Sequence, residues 1–309
     1  VIVIIGTTAW LIAPSIQRPF EPPPGYTEHT TIRIGGDSDF NPDNGVVGGN
    51  GTAADPYIIT GWYIRTSIIW DGAMAGIQIS NANVHFTVRD CYISTSASNR
   101  DWGVYLSGCV NGTLENNNCS GNEYGIYLGF SSNITRSNSN CFSNQIGIVL
   151  NAECTDNTII NNTCSNGGYG ISLSSSSSNA LTDNCLRSNS HSGIYLISHC
   201  IGNEIARNEV SNNGGHAIVI SSGVDNLIHG NAILNNNGVT STYNASRTQA
   251  YDDSGENSWC VSGETGAWGN YWSDFMAPDI NDDGVVDDPY MIAGNAGAED
   301  CYPLTYNPL

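Results

Sequence analysis

A four-residue word that recurs along the middle of the chain constrains the fold more than any other feature. The seven copies are GIQI at 76–79, GVYL at 103–106, GIYL at 125–128, GIVL at 147–150, GISL at 170–173, GIYL at 193–196 and AIVI at 217–220. After a first gap of 27 residues, their starts lie 22, 22, 23, 23 and 24 residues apart. Each word alternates apolar positions with small, polar or aromatic ones, as a strand with one buried face does. Repeats of this length indicate a solenoid.

The segments between the words narrow the solenoid to one class. Leucine-rich repeats require an L-x-x-L-x-L word, which is missing, and helical repeats require longer apolar-periodic segments. Short strands separated by Asn, Gly and Ser turns predict three strands per coil, and therefore an all-β, right-handed parallel β-helix. We expect the β-helix to span 31–240, after an apolar segment at 1–14 and a Pro-rich leader at 15–30, and a small C-terminal cap to span 241–309.

Two further columns follow the same period. One contains Asn116, Asn138, Asn161, Asn184, Asn208 and Asn231. Stacked amides would hydrogen-bond along the solenoid and satisfy the turn backbone. The other contains Cys91, Cys119, Cys141, Cys164 and Cys185. Adjacent coils lie about 4.8 Å apart, so neighbouring cysteines would be within disulfide reach, and a stack of unbridged core thiols is the alternative.

The composition indicates an exported protein. The chain has ten cysteines without any C-x-x-C pair, which is unusual for a reducing compartment without a metal site. Six N-x-S/T sequons point the same way, at Asn50, Asn111, Asn118, Asn133, Asn161 and Asn244. The net charge is −20, and the nine basic residues are all arginines. Such a surface repels phosphate backbones and anionic lipid, so nucleic acid is excluded as a partner.

The first residues are apolar. Residues 1–13 (VIVIIGTTAWLIA) are too few to span a bilayer, which needs about 20 apolar residues. A trimmed export signal or former membrane anchor is one interpretation, and a strand that caps its own helix is another. The Pro-rich leader favours a third, in which the segment inserts into a neighbouring copy and builds a head-to-tail assembly. The candidate assembly residues are Val1, Ile2, Val3, Ile4, Ile5, Trp10, Leu11 and Ile12.

Four stretches outside the words carry a family resemblance. GGNGTAADPYIITGWYI at 48–64 is similar to the opening word of NosD-like β-helix proteins of archaeal and bacterial surfaces and periplasm. GNYWSDF at 269–275, with DINDDGVVDDPYMI at 279–292 and DCYPL at 300–304, resembles their closing module. The resemblance implies the β-helix. It does not imply one activity, because the family includes metal-accessory, surface-layer and carbohydrate-active proteins.

An acidic loop in the closing module predicts a structural calcium site. Oxygen ligands recur at Asp279, Asn281, Asp283 and Asp287, with the Val285 carbonyl between them, as in the first part of an EF-hand loop. Tyr290 stands where that loop has its bidentate acid, so we expect weak binding. A solvated acidic turn is the alternative.

The same module contains a candidate disulfide and an aromatic cluster. Cys260 and Cys301 lie outside the repeat columns, and we predict that they are bridged. The cluster consists of Trp259, Trp268, Tyr271, Trp272 and Phe275. We expect these rings to plug the open end of the helix, and sugar stacking is the alternative.

Nothing in the repeat predicts a catalytic centre. Its acids are scattered, and no two are expected in the same column of adjacent coils with an arginine beside them. The six histidines share no column, and Met is too scarce for a copper site of the accessory-protein kind. We therefore predict a secreted or cell-surface structural protein, more plausibly non-enzymatic, that assembles into a filament, sheath or surface array. The alternatives are a carbohydrate-binding or polysaccharide-cleaving β-helix and, third, a periplasmic metal-accessory protein.

Overall fold

Parallel strands arranged in three sheets make up the fold. The computed structural model describes residues 22–66, 75–95, 101–239, 242–263 and 266–309. The three sheets have nine, nine and ten strands. The chain visits them in a fixed order, and from Tyr57 onward each strand of the three sheets pairs in parallel with the strand one circuit later. The exception is Val46–Gly48, which pairs antiparallel with Tyr57–Thr60. The predicted right-handed parallel β-helix is therefore confirmed.

The strands of each sheet have the following bounds. Sheet 1 contains Ile32–Ile34, Ala75–Ser80, Trp102–Ser107, Tyr124–Gly129, Ile146–Asn151, Tyr169–Ser174, Ile194–Ile197, Ile218–Ile220 and Ala250–Asp252. Sheet 2 contains Val46–Gly48, Tyr57–Thr60, Phe86–Arg89, Gly112–Glu115, Thr135–Ser137, Thr158–Ile160, Ala180–Thr182, Glu204–Ala206 and Leu227–His229. Sheet 3 contains Thr27–His29, Trp62–Thr66, Tyr92–Thr95, Asn118–Ser120, Asn140–Phe142, Thr163–Ser165, Cys185–Arg187, Glu209–Ser211, Ala232–Leu234 and Tyr271–Trp272.

The remaining elements are small. The two-stranded pairs are Cys200–Ile201 with Gly223–Val224, Val261–Gly263 with Gly266–Trp268, and Tyr290–Met291 with Glu299–Asp300. Two 3-10 turns, Asp37–Asp39 and Pro42–Asn44, lie between the strands Ile32–Ile34 and Val46–Gly48. The described residues contain no helix with the length and apolar character needed to cross a membrane. Strands from Thr27 to Trp272 pair into the three sheets, so pairing extends beyond 31–240 at both ends.

The recurring word forms the strands of sheet 1. Its apolar letters, such as Ile126 and Leu128, are fully buried. The leading glycine is required by a close approach, because a Cβ on Gly125 would lie 2.5 Å from the carbonyl oxygen of Gly147 and 2.9 Å from the Sγ of Cys141. Sheets 1 and 3 therefore pack closely at this column, which explains why the word begins with a small residue.

Stacked asparagines at the corners bind successive coils together. At the corner between sheets 2 and 3, the backbone N–H of Asn184 donates to Oδ1 of Asn208 at 3.0 Å, and the Asn184 Nδ2 donates to the same atom at 2.9 Å. Asn208 repeats both bonds with Asn231. Comparable ladders run through Asn157, Asn179, Asn203 and Asn226, and through Asn189, Asn213 and Asn236.

The single predicted asparagine column was partly wrong. Asn184, Asn208 and Asn231 belong to the buried ladder. Asn116, Asn138 and Asn161 are exposed instead, with φ of 52°, 53° and 54°. These three precede the ladder position by one residue and occupy the left-handed region, which asparagine tolerates better than most residues.

The predicted cysteine column contains three members rather than five. Cys141 pairs in register with Cys164, and the pairing of Asn118 with Asn140 sets Cys119 beside Cys141. Cys91 instead occupies the asparagine column, where its N–H donates to Oδ1 of Asn117. Cys185 pairs with Thr163 and is shifted by one position. All ten cysteines are free thiols in the structure.

The C-terminal module closes one end of the solenoid. Trp259 and Trp272 are 1% exposed, and the ring of Trp272 stacks on Tyr290 at a centroid distance of 3.9 Å. These rings form the predicted plug. Trp268 does not join it, because its side chain is 45% exposed.

Candidate functional site

The outer side of sheet 1 presents the largest group of aromatic side chains on the solenoid. We call Trp102, Tyr105, Tyr124, Tyr127, Tyr169, His191 and Tyr195 the aromatic face. The register pairs Trp102 with Tyr124 and Tyr105 with Tyr127, so the rings stand above one another on adjacent coils. The side chains are partly exposed and His191 is exposed. A solvent-accessible aromatic surface therefore runs along the solenoid axis.

The rings of the aromatic face contact one another in two groups. In the first, Trp102 and Tyr127 stack with centroids 4.9 Å apart and planes 10° from parallel. In the second, Tyr169 stacks on His191 at 4.7 Å and on Tyr195 at 5.5 Å. Mutual stacking fixes ring positions before any ligand arrives, so little side-chain entropy remains to be lost on binding.

A polar cleft lies at the corner where the chain enters these strands. It has a volume of about 380 Å³. Its lining consists of Gly121, Asn122, Ser143, Asn144, Gln145, Asn166 and Gly167. The Asn122 side chain is buried, and neither its Nδ2 nor its Oδ1 has a hydrogen-bond partner among the described residues. The exposed side-chain amides of the lining are those of Gln145 and Asn166, and Gln145 precedes Ile146, the register partner of Tyr124.

Two acids share a column beside the aromatic face. Because Trp102 pairs with Tyr124, the preceding residues Asp101 and Glu123 are in-register neighbours on adjacent coils. Burial and the Glu123 carboxylate raise the pKa of Tyr124. The acids of the repeat are thus less scattered than the sequence suggested. Asp101 and Glu123 lie 22 residues apart, which is the spacing of the words at 103 and 125.

A second cleft lies between the solenoid and the cap, and it contains two ion pairs. Arg207 donates to both carboxylate oxygens of Asp183 at 2.9 Å, and Nε2 of His229 lies 3.1 Å from Oε1 of Glu204. With Trp268 these side chains border a space of about 380 Å³. The Arg207 guanidinium already has a carboxylate partner, so the cleft offers little free positive charge to an anionic ligand.

The predicted calcium loop forms a tight turn around its own carboxylates. Asp279 accepts hydrogen bonds from the N–H groups of Asp283 and Gly284 at 3.2 and 2.9 Å, and Asp283 accepts from Val285 at 2.9 Å. Asp287 accepts from Ile280 at 2.6 Å. In the described part of the chain, no three His, Cys, Asp or Glu side chains are grouped as a metal site. Calcium binding through Asp279, Asn281, Asp283, Val285 and Asp287 stays a prediction.

Calcium is expected to stabilise the cap only while the loop is fully charged. Added calcium should raise the melting temperature of the wild type, and chelation should reverse the rise. Asp279→Asn with Asp283→Asn should abolish the shift, because asparagine still accepts the amide bonds but carries no charge. Differential scanning calorimetry checks this. An equal calcium shift in the double variant would assign the effect to another part of the surface.

The predicted disulfide partners lie next to each other as thiols. Burial and a hydrogen bond with Cys301 raise the pKa of Cys260 to about 12. The bridge stays a prediction, and closing a loop of this length would stabilise the cap by about 4 kcal/mol. Of the predicted glycosylation sites, Asn50, Asn133, Asn161 and Asn244 are exposed, whereas Asn111 and Asn118 are half-buried. Their modification also stays a prediction.

The predicted assembly residues lie outside the described part of the chain. Val1, Ile2, Val3, Ile4, Ile5, Trp10, Leu11 and Ile12 all precede residue 22, where the description begins.

A buried carboxyl group links two segments of the cap module, GNYW at 269–272 and DCYPL at 300–304. Asp300 accepts hydrogen bonds from Nε1 of Trp272 at 2.8 Å and from the N–H of Asn270 at 2.7 Å. It is fully buried, and burial raises its pKa from 3.8 to about 6 despite these bonds. Asp300 therefore serves to hold GNYW against DCYPL rather than to react with a ligand.

The cap is expected to become more stable as the pH falls from about 6 to about 4. At pH values between the unfolded and folded pKa of Asp300, only the folded state binds its proton. The resulting contribution to the free energy of unfolding is complete below about pH 4 and is lost as the pH rises through about 6. This rise in the pKa of Asp300 corresponds to about 3 kcal/mol in the free energy of unfolding. Urea unfolding at about pH 4.5 and about pH 7 measures it. Asp300→Asn should lose this difference, and an unchanged difference would assign it to other acids.

The aromatic face was not among the sequence-based predictions, although the sequence contains a signal for it. The third letter of the words is Tyr at Tyr105, Tyr127 and Tyr195, and aromatic residues directly precede the glycine at Trp102, Tyr124 and Tyr169. The third letter alternates with the buried letters, which places Tyr105, Tyr127 and Tyr195 outside. The residue before the glycine does not follow this alternation, and the structure shows that it is partly exposed as well. An aromatic third letter together with an aromatic residue before the glycine was the signal for this face.

Comparison with known proteins gave one family and several solved structures. A family model described as Periplasmic copper-binding protein (NosD) matches residues 55–277. Comparison with curated protein sequences gave no significant match. The periplasmic alginate epimerase AlgG is 16% identical, with 75% of this chain and 57% of that chain covered and a TM-score of 0.45. This chain thus spans little more than half the length of AlgG.

Two other solved structures are similar at the same level. The enzymatically active domain of tailspike protein 2 from bacteriophage CBA120 is 13% identical, with coverages of 76% and 38% and a TM-score of 0.49. Pectate lyase Pel9A is 12% identical, with coverages of 80% and 75% and a TM-score of 0.46.

Proposed function

The chain belongs to the NosD family, and from that premise we propose that it is an exported β-helix protein that binds a neutral polysaccharide across its aromatic face. The family model describes periplasmic proteins, which supports a location outside the cytoplasm. The observation that carries the proposal is the partly exposed, mutually stacked ring set on one sheet, from Trp102 to Tyr195. Flat rings beside amide groups are suited to pyranoses, which have apolar faces and hydroxyl edges.

The negative charge of the protein favours neutral over anionic polysaccharides. At a net charge of −20 and without lysine, the surface repels polyanionic chains. Asp101 and Glu123 add local negative charge beside the rings, and the amides of Asn122, Asn144 and Gln145 are uncharged. A neutral, hydroxyl-rich glycan therefore matches this surface better than a uronate polymer.

The family description also implies copper, and the described residues do not fit it. Copper sites use clustered His, Met or Cys. No such cluster of His, Cys, Asp or Glu occurs among the described residues, and Met276 is 89% exposed on the cap. The cysteines of the column lie close together, but the guanidinium of Arg136 is 3.0 Å from the Sγ of Cys141. A fixed cation occupies the place that a metal ion would need, so we derive no copper chemistry for this chain.

Ring removal should weaken glycan binding at the aromatic face alone. Trp102→Ala and Tyr127→Ala should each lose about 1 kcal/mol or more, which is about fivefold or more in Kd. Phe142→Ala is the matched control, because its ring is 45% exposed on sheet 3. Affinity electrophoresis in gels containing neutral polysaccharides measures the change. Equal losses in the control, or no retardation by any neutral glycan, would overturn the proposal.

Cleavage of a bound glycan is a separate possibility that the Asp101–Glu123 neighbours raise. Glycoside hydrolases use paired carboxylates, and these two flank the ring column. Glu123→Gln separates the two activities: a binding protein keeps its affinity and shows no product with either form, whereas a hydrolase loses its product with the variant.

Self-assembly through residues 1–14 is the second candidate function. The observation that favours it is a free sheet edge, because Thr27–His29 and Ile32–Ile34 are the terminal strands of sheets 3 and 1 among the described residues. An apolar strand from a neighbouring copy would extend such an edge. Negative-stain electron microscopy compares the full chain with a form lacking 1–14. Filaments from the full chain alone support this role, and single particles from both overturn it.

A further inference from the structure

One cationic side chain lies in the apolar interior of the solenoid. Arg136 is 0% exposed and stands in a column with Leu114 and Ile159. Its Nη2 donates to the Sγ of Cys141 at 3.0 Å, and its Nε and Nη1 have no hydrogen-bond partner. A charged group has replaced an aliphatic one at a site that otherwise contains only Leu, Ile and Val.

The buried guanidinium needs a negative charge close by. Arginine remains protonated in proteins, so Arg136 cannot relieve its burial by losing a proton. An isolated buried charge is strongly unfavourable. The ion pairs found among the described residues are Arg89–Asp90, Arg207–Asp183 and His229–Glu204, and none of them includes Arg136. The group in hydrogen-bond contact with Arg136 that can supply the charge is the Cys141 side chain.

We propose that Cys141 is a thiolate paired with Arg136, and that this pair keeps Cys119, Cys141 and Cys164 unbridged in an oxidising compartment. The three cysteines stand in register on adjacent coils of sheet 3, at a spacing that would otherwise permit disulfides. Arg136 thus acts as a built-in counter-ion for the middle member.

The two neighbouring thiols complete the site. Cys119 and Cys164 both donate hydrogen bonds to the Cys141 sulfur, and with Arg136 they hold the pKa of Cys141 well below its usual range. The bond with Cys141 raises the pKa of Cys119, and burial with the same bond raises that of Cys164. One thiolate therefore lies between two protonated thiols. Its sulfur accepts hydrogen bonds from both thiols and from the guanidinium of Arg136.

The pair disfavours oxidation because a disulfide removes its anion. Joining Cys141 to Cys119 would form one S–S bond and break that of an external disulfide, which accepts two electrons. The external disulfide leaves as two thiols, one protonated by the Cys119 proton and the other by solvent. Arg136 would then be buried without a counter-charge. A protein that stabilises its thiolate form in this way has a disulfide that is readily reduced.

Packing supports the same arrangement. The Cβ of Cys164 would lie 2.8 Å, and its Sγ 2.7 Å, from a Cβ placed on Gly147. The coils before and after carry Ile93 and Leu186 in this column, and cysteine is smaller than either. The three small side chains leave room for the long Arg136 side chain that crosses from sheet 2.

Peptide mapping after oxidation tests whether Arg136 keeps the three cysteines unbridged. The full chain is refolded in a glutathione redox buffer, quenched in acid, denatured and alkylated without reduction. Mass spectrometry should find Cys119, Cys141 and Cys164 alkylated. In Arg136→Leu, which removes the counter-ion, a disulfide within the column should appear. A column disulfide in the wild type, or none in the variant, would overturn the protective role of Arg136.

The far-ultraviolet absorbance of thiolates tests the ionisation part. The folded wild type at neutral pH should show a thiolate band that Cys141→Ser lacks and that Cys164→Ser retains. Arg136→Lys preserves the positive charge and should keep the band, which distinguishes a charge effect from general damage to the core. A wild-type spectrum identical to that of Cys141→Ser would contradict the proposed thiolate.

Discussion

Cys141→Ala is expected to destabilise the protein by about 3–5 kcal/mol, far more than the loss of one small core side chain would explain. The substitution leaves Arg136 fully buried with no partner for any of its side-chain nitrogens. Breaking a buried pair by removing one member is costly because the other charge remains uncompensated. Urea unfolding followed by circular dichroism measures the change.

Two comparisons isolate the charge effect at Cys141. Cys164→Ala removes a neighbour in the same column without stranding Arg136, and it should cost about 1 kcal/mol. The double variant Cys141→Ala with Arg136→Leu should recover most of the loss, since Leu114 and Leu181 occupy the same column naturally. Similar losses for Cys141→Ala and Cys164→Ala, with no recovery in the double variant, would show that Cys141 acts by packing alone.

Asn208→Ala is the second substitution with a large expected effect, above about 3 kcal/mol. The Oδ1 of Asn208 accepts from both the N–H and the Nδ2 of Asn184, and its Nδ2 donates to the carbonyl of Leu181 at 2.8 Å. All of these groups are inaccessible to water, and each buried group left unsatisfied costs about 1–3 kcal/mol. The ladder therefore contributes through the backbone groups that it satisfies.

An exposed asparagine of the same corner provides the control. Asn161 has φ of 54° and precedes the buried ladder member Asn162, so Asn161→Ala should cost only about 1 kcal/mol from backbone strain. Asn208→Ser should lie between the two, because Ser139 already occupies an equivalent ladder position and accepts from the N–H of Asn117. Thermal unfolding of the three variants orders them, and equal shifts for Asn208→Ala and Asn161→Ala would contradict the ladder account.

Sequence reasoning predicted the solenoid because its signal is repeated. Each word combines a small first residue, glycine in six copies and alanine in the seventh, with alternating buried residues. Seven copies at a near-constant spacing reinforce one another. The plug at Trp259 and Trp272 was also predictable, since an open solenoid end needs apolar cover. Which residues share a column was harder to predict, because a shift of one residue reverses which side chain points inside.

The asparagine pairs show this ambiguity. Asn161 and Asn162 are adjacent and identical in type, yet one is exposed in a left-handed turn and the other is buried in the ladder. The later coils resolve the choice, because Arg207 and Asn208 occupy the same two positions and only the asparagine suits the buried one. Arg136 could not be predicted in the same way. Its burial depends on the cysteine of another sheet, a contact between residues that sequence periodicity does not relate.

A structure of the protein with a bound neutral oligosaccharide tests the central claim most directly. The oligosaccharide is chosen from the polysaccharides that retard the wild type in affinity electrophoresis. Sugar rings should lie against Trp102 and Tyr124, with hydroxyl groups directed to the exposed amides of Gln145 and Asn166. Sugar bound instead at the Arg207–Trp268 cleft, or on another sheet, would contradict the assignment of the aromatic face as the binding surface.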